Sequence, residues 1–266
     1  MKKRFFGLTM FLSASLISGA TVGASSLSAH QHSHEKSGTQ IESIPKANHF
    51  EDLTEKVEIE KTTKTKILNE QGDVIGAKTF KQNVNSGNIR IKEDAGKQRV
   101  SVLAVADEQY RKKHSDWQTR IVEIIEQADM MFNRDHDIDF VVESVAPWVS
   151  SGSSSSDILW YMADTFKNEN YQFVIGFTAN ENYEAGGVAY KYNYKPNGPA
   201  FSTVFDMGTK NAAKATTHEL THNLGVGHDP QGSGIQCIMN YDYAYKVDVW
   251  DDDHNGEIER NKEWYQ

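Results

Sequence analysis

From Val100 to Ala106 the chain runs apolar with only Ser101 interrupting, the pattern of a strand buried in a sheet. Trp117, Ile121, Ile124, Ile125, Ala128 and Phe132 then recur at helical spacing, which predicts an amphipathic helix from about Ser115 to Asn133 with that face in the core. Ile138 to Val145 reads as a second strand and Ser150 to Ser156 as a flexible loop. Asp157 to Glu169 reads as a helix with Ile158, Met162 and Phe166 inward, and Tyr171 to Phe177 as a third strand. Gly186 to Tyr192 and Ala200 to Phe205 add two more, and no internal repeat is visible. Strand and helix in alternation predict an α/β (α+β) fold, a mixed, mostly parallel sheet with helices packed on it.

Upstream the pattern is different. Residues 25–97 are rich in Lys, Glu, Thr, Ser, Gln and Asn and poor in aromatics, and beyond a strand or two near Val74 to Phe80 they lack the apolar content for a core of their own. They read as a propeptide or flexible leader to a domain spanning 98–266, with His30, His32 and His34 in a solvated tail. At the very start, Lys2, Lys3 and Arg4 precede an apolar run from Phe5 to about Ile17, followed by Gly19, Ala20, Gly23 and Ala24. That order is the layout of a signal peptide, residues 1–24, with cleavage after Ala24 or Ala29. The run is shorter than the ~20 residues a bilayer-spanning helix needs and is broken by Ser13 and Ser15. The processed protein is therefore expected outside the cytoplasm, secreted and without stable membrane association.

Charge and cysteine content narrow the partners. Net charge is −9, and from Gln98 onward 26 acidic side chains stand against 14 basic ones, a balance of −12, so nucleic acid is not an expected partner. The single cysteine, Cys237, excludes an intramolecular disulfide, so folding must rest on core burial and any bound metal.

The chemistry lies in Thr217-His218-Glu219-Leu220-Thr221-His222-Asn223-Leu224-Gly225-Val226-Gly227-His228-Asp229. Two histidines four residues apart on a helix are separated by about 40° around its axis, so both rings can reach one ion, with Glu219 beside them. Ala213, Leu220 and Leu224 form the opposite face, and Asn211 is the expected N-cap. A catalytic zinc takes three protein ligands and keeps one position open, so a further ligand is required. His228 can supply it if Gly225, three residues past His222, ends the helix in a left-handed turn and brings the chain back.

This HExxHxxGxxHD string resembles the metzincin zinc endopeptidases, closest to the adamalysin or reprolysin (M12-type) branch in a bacterial-type secreted form. The resemblance covers about Val100 to the C-terminus. It implies a zincin fold with an active-site helix and a small C-terminal subdomain carrying a methionine turn, here Cys237-Ile238-Met239-Asn240-Tyr241, with Met239 as the apolar floor beneath the metal. It further implies one catalytic zinc on His218, His222 and His228, Glu219 as base, and a substrate-aligning edge strand at Gly187, Val188 and Ala189. Tyr241 is similar to the tyrosine that astacins and serralysins use as an extra ligand or transition-state donor. With no cysteine in the leader, a cysteine-switch form of zymogen latency is unavailable.

The expected activity is hydrolysis of peptide bonds in extracellular proteins or peptides. A zinc-dependent cell-wall peptide amidase, or a zinc-containing binding or toxin-like protein, are the alternatives. Asp251, Asp253, Asn255 and Gly256 resemble half of a Ca2+ loop, but its twelfth position falls on Lys262, so an acidic turn before a helix is favoured over a calcium site. His49, His114, His136 and His254 lack motif spacing and read as surface residues.

Overall fold

The computed structural model describes residues 39–53, 61–82 and 96–266. The stretch 1–24 expected to be a signal peptide and the histidines at 30, 32 and 34 lie outside the described residues.

One eight-stranded sheet organises the chain. Its strands are β1 (Thr39–Pro45), β2 (Lys61–Leu68), β3 (Val74–Gln82), β4 (Gln98–Ala106), β5 (Ile138–Pro147), β6 (Phe173–Thr178), β7 (Ala185–Tyr192) and β8 (Ala200–Phe205). They lie in the order β1-β7-β8-β6-β4-β5-β2-β3. Four of the seven pairings are parallel, so the sheet is mixed and mostly parallel as expected.

Central strands are apolar on both sides because both faces of the sheet are covered. Along β4, Val102 and Ala104 face α2 (Trp117–Asp135) and α4 (Thr209–Asn223), where Ile121, Ile125, Phe132 and Leu220 fill one core. Leu103 and Val105 point the other way, onto Ile158, Leu159 and Met162 of α3 (Ser155–Phe166). Each of the larger aliphatic and aromatic side chains among these contributes about 1.5–3 kcal/mol by leaving water. The predicted face of α2 is the buried one, with Trp117 partly buried at its end. α3 begins two residues earlier than its periodicity suggests, because Ser154 caps it by accepting the Asp157 amide at 3.1 Å.

A short α1 (Glu108–Lys113) was not legible in the polar run Glu-Gln-Tyr-Arg-Lys-Lys. It exists because buried Asp107 accepts the Tyr110 amide at 2.7 Å and Tyr110 anchors it in the core. α5 (Asp252–Asn261) and a 3-10 turn (Lys262–Tyr265) close the chain.

Three strands come from the stretch that composition marks as a leader. They build no core of their own; instead they extend the sheet at its two ends. β2 meets β5 only at Lys66 and Ile67 and carries β3 outside it, whereas β1 pairs along β7 from Thr39↔Tyr192 to Pro45↔Ala185. The expectation that Gly187, Val188 and Ala189 form a sheet edge is thus corrected, because β1 takes that edge.

At the end of β8, the Asp206 carboxylate receives Lys113 Nζ at 2.7 Å and His114 Nε2 at 3.0 Å. Burial alone would push this carboxyl up, but the bonds from Lys113 and His114 outweigh it and hold Asp206 below the usual carboxylate range. A folded pKa below the unfolded value of about 4 contributes stability above that pH, which is lost as pH falls through the folded value. Asp206→Asn should therefore lower unfolding free energy by about 1–3 kcal/mol at pH 7, with the difference from the parent chain closing as acidity rises. Urea titrations at neutral and acid pH test this, and a difference that stayed constant with pH would contradict it.

Candidate metal centre

Almost all of α4 is buried, so its polar groups must be satisfied internally. Thr216, Thr217 and Thr221 do so by bonding their hydroxyls to carbonyls four residues back, at 2.7–3.1 Å. The expected cap at Asn211 is corrected: the helix starts at Thr209, with Gly208 as the cap residue. Its first amides go to chain from beyond β1, Thr209 N–H to Asp52 Oδ1 at 2.9 Å and Lys210 N–H to the Glu51 carbonyl at 3.0 Å. Asn211, inside the first turn, donates its side-chain amide to the His49 carbonyl. Partners so distant in sequence are invisible to a local capping rule.

At the other end the predicted turn is present. Gly225 has φ +86°, its amide donates to the His222 carbonyl at 2.8 Å, and an added Cβ would lie 2.8 Å from the Tyr192 carbonyl oxygen. Glycine is needed there for conformation and for space. Asn261 and Tyr265 donate to the carbonyls of Leu224 and Asn223, satisfying the helix's last acceptors. The Asn223 side chain ties this end to β7 and β8 through the Tyr190 and Phe201 carbonyls.

The turn brings His228 back to His218 and His222. Their Nε2 atoms form a triangle with edges of 2.9, 3.0 and 3.1 Å. The far ring nitrogens are committed elsewhere: His218 Nδ1 to the Ile238 carbonyl and His222 Nδ1 to the Val226 carbonyl, both at 2.8 Å. A carbonyl only accepts, so each Nδ1 must carry the proton, and in the neutral ring each Nε2 then presents a lone pair. Burial, with repulsion from His228, pulls His218 down to about 3; burial likewise drives His222 well below its ordinary value. Neutral rings thus aim lone pairs at one point, a repulsive arrangement that a cation relieves. The edges are comparable to those of three nitrogens each about 2.0–2.1 Å from one zinc ion. His218, His222 and His228 therefore fit a metal, and the carbonyls supply the outer contacts that orient metal-bound histidines.

The third histidine differs in its outer partner. His228 Nδ1 faces Glu42 Oε2 at 3.3 Å and Tyr241 Oη at 3.5 Å, so its outer carboxylate comes from β1. The His228 contact and nearby Lys191 hold Glu42 below the usual carboxylate range, overcoming its partial burial. Nothing in the local motif announces this residue.

Glu219 is fully buried, and burial pushes its carboxyl well above the usual range, with the Ile44 amide acting in the opposite sense. The carboxyl has no hydrogen-bond partner on either oxygen among the described residues. Behind it lies Gly187, where an added Cβ would come within 2.6 Å of Glu219 Oε1. The Ser43 carbonyl, from the same peptide unit as the Ile44 amide, accepts the Tyr241 hydroxyl at 2.6 Å. Burial and nearby carboxylates push that phenol up to about 12, so it remains a donor at neutral pH.

Met239 is fully buried, and its carbonyl accepts the Asp229 amide at 3.2 Å, joining the methionine turn to the loop of the third histidine. His136 and His254 are buried, which corrects their reading as surface residues. His254 Nδ1 lies 3.2 Å from Cys237 Sγ, 2.6 Å from Asp251 Oδ2 and 3.8 Å from Asp229 Oδ2, a cluster whose members are too far apart in sequence to form a motif. The stretch offered as half a Ca2+ loop is the start of α5, with Asp251 Oδ1 accepting the amides of Asp253 and His254 as a helix cap. This is the acidic turn before a helix that the spacing favoured over a calcium site.

Comparison with known proteins agrees with this chemistry. No curated protein matches the chain. A solved chaperone-substrate complex overlaps at 10% identity and TM-score 0.45, covering 71% of this chain and 39% of that one. Metalloproteinase-II from Bacteroides fragilis overlaps at 13% identity and TM-score 0.41, covering 64% of this chain and 54% of that one. The chain thus spans about two-fifths to one-half of these structures' lengths. Residues 96–250, more than half of the 266, match Reprolysin_5, described as metallo-peptidase family M12. The histidine triangle and its buried glutamate lie within that match, and the chain belongs to the M12 family of zinc metallopeptidases.

Proposed function

We propose that the chain is a secreted zinc-dependent endopeptidase that hydrolyses peptide bonds of extracellular proteins and peptides. The observation that carries this reading is the triangle of Nε2 atoms together with a buried carboxyl, Glu219, packed against the β7 backbone where it pairs with an extended strand. Zinc on these three imidazoles supplies Lewis-acid polarisation of a carbonyl and of water. Glu219 accepts the proton of the attacking water and delivers it to the leaving amine nitrogen. The Tyr241 hydroxyl donates to the carbonyl oxygen, where negative charge develops. β7, whose main-chain groups pair antiparallel with β1 here, takes an extended substrate in place of β1, a grip that does not read sequence.

The strand pairing on β7 favours extended polypeptides over cell-wall stem peptides, and Glu219 favours catalysis over simple binding, since a structural zinc needs no base. Export rests on the charged and apolar start of the chain.

Glu219→Gln should bind one zinc per chain and lose about 10³-fold or more in peptide hydrolysis; an active variant with stoichiometric metal would refute the assigned base. His228→Ala should lose zinc, as metal analysis after dialysis would show. Gly187→Ala should keep zinc but lose about 100-fold in kcat/KM, because the new methyl displaces Glu219. Undiminished hydrolysis in that variant would remove Gly187 from the account. Digestion of a peptide library, with and without chelator and alongside purified peptidoglycan, tests the reading as a whole. A zinc-loaded chain that cuts peptidoglycan but no polypeptide would overturn it.

A further inference from the structure

β1 lies where a substrate of β7 would lie. It runs antiparallel to β7, with Glu42 opposite Ala189, Ser43 opposite Val188 and Ile44 opposite Gly187. One peptide unit of this strand lies between the two groups that the chemistry needs. The Ser43 carbonyl takes the Tyr241 hydroxyl at 2.6 Å, and Ile44 is paired with Gly187, the residue against which the Glu219 carboxyl packs. The Ile44 side chain is fully buried in the core that contains Met207 and Met239, as a residue seated in an apolar pocket would be.

Contacts on both sides fix this register. Glu42 reaches His228 at 3.3 Å and Lys191 at 3.6 Å, and the Pro45 carbonyl takes the Tyr245 hydroxyl at 2.7 Å. Farther on, Glu51 and Asp52 hold the first amides of α4. The strand is covalently tethered, so its local concentration at the site exceeds that of any free peptide.

We propose that β1 is the enzyme's own first substrate, cut between Ser43 and Ile44. This rests on the peptidase reading above. Water adds its hydroxyl to the Ser43 carbonyl carbon, the C–N bond breaks, and Glu219 carries the water's proton to the Ile44 nitrogen. The products are a Ser43 carboxylate and an Ile44 amine, with nothing oxidised or reduced. Until the cut, β1 covers the edge of β7; afterwards Thr39–Ser43 is no longer joined to the segment anchored on α4 and can leave the Val188–Tyr192 part of that edge open to other peptides.

The test uses the full chain purified in chelator and then given zinc, followed by intact mass and N-terminal sequencing. A new N-terminus at Ile44, forming at a rate independent of protein concentration, is the expected result. Glu219→Gln should remain uncut with zinc bound, and its residues 39–45 should be protected from hydrogen exchange even without metal. Ile44→Asp should slow the cut by about 10-fold or more. A zinc-loaded chain that digests added peptides but leaves this bond intact, or cuts itself elsewhere, overturns the proposal while sparing the peptidase reading. Exchange of residues 39–45 as fast as in a free peptide would also overturn it. Failure to cut any peptide at all would overturn both.

Discussion

Three imidazoles whose Nε2 atoms converge to within 2.9–3.1 Å of one another are the constraint on which the rest of the site depends. Left alone the arrangement is repulsive, so the fold must hold it in place. It does so by spending two backbone carbonyls, those of Ile238 and Val226, on the outer nitrogens of His218 and His222. Both carbonyls lie in irregular chain whose course follows from the Gly225 turn and the methionine turn. The glycine therefore ends the helix, returns His228 and places the acceptor that orients His222, all through one left-handed residue.

Burial ties this centre to the Glu219 carboxyl. Glu219 lies on the same helix with its side chain against the β7 backbone, in a space that only glycine at 187 leaves free. Away from water its charged form loses hydration, so its proton affinity rises. The same strand that makes room for Glu219 pairs antiparallel with β1, and the third histidine takes its outer carboxylate, Glu42, from β1. Residues far upstream of the metal motif thus complete its surroundings.

How much of this was legible beforehand divides along sequence distance. The alternation of strands and helices, the buried face of α2 and the three histidines with their glutamate follow from periodicity and spacing within a few turns of chain. The Gly225 turn was legible because a third ligand was required and glycine alone stood where the helix had to end. What was not legible depends on contacts between distant segments. Asn211 looked like a cap because local rules favour it, yet Glu51 and Asp52 cap the helix from about 160 residues away. β1 looked like solvated leader because a strand lying on an existing sheet needs few apolar residues, and Ile44 is its fully buried one. Glu42 and the cluster around Cys237 and His254 have no spacing signature at all.

The most direct measurement of the central claim is zinc-edge X-ray absorption on the chain loaded with one equivalent of metal. The account predicts a nitrogen and oxygen shell at about 2.0–2.1 Å with outer-shell scattering from three imidazole rings. A sulfur neighbour at about 2.3 Å, which would place the ion on Cys237, or scattering from fewer than three rings, would contradict it.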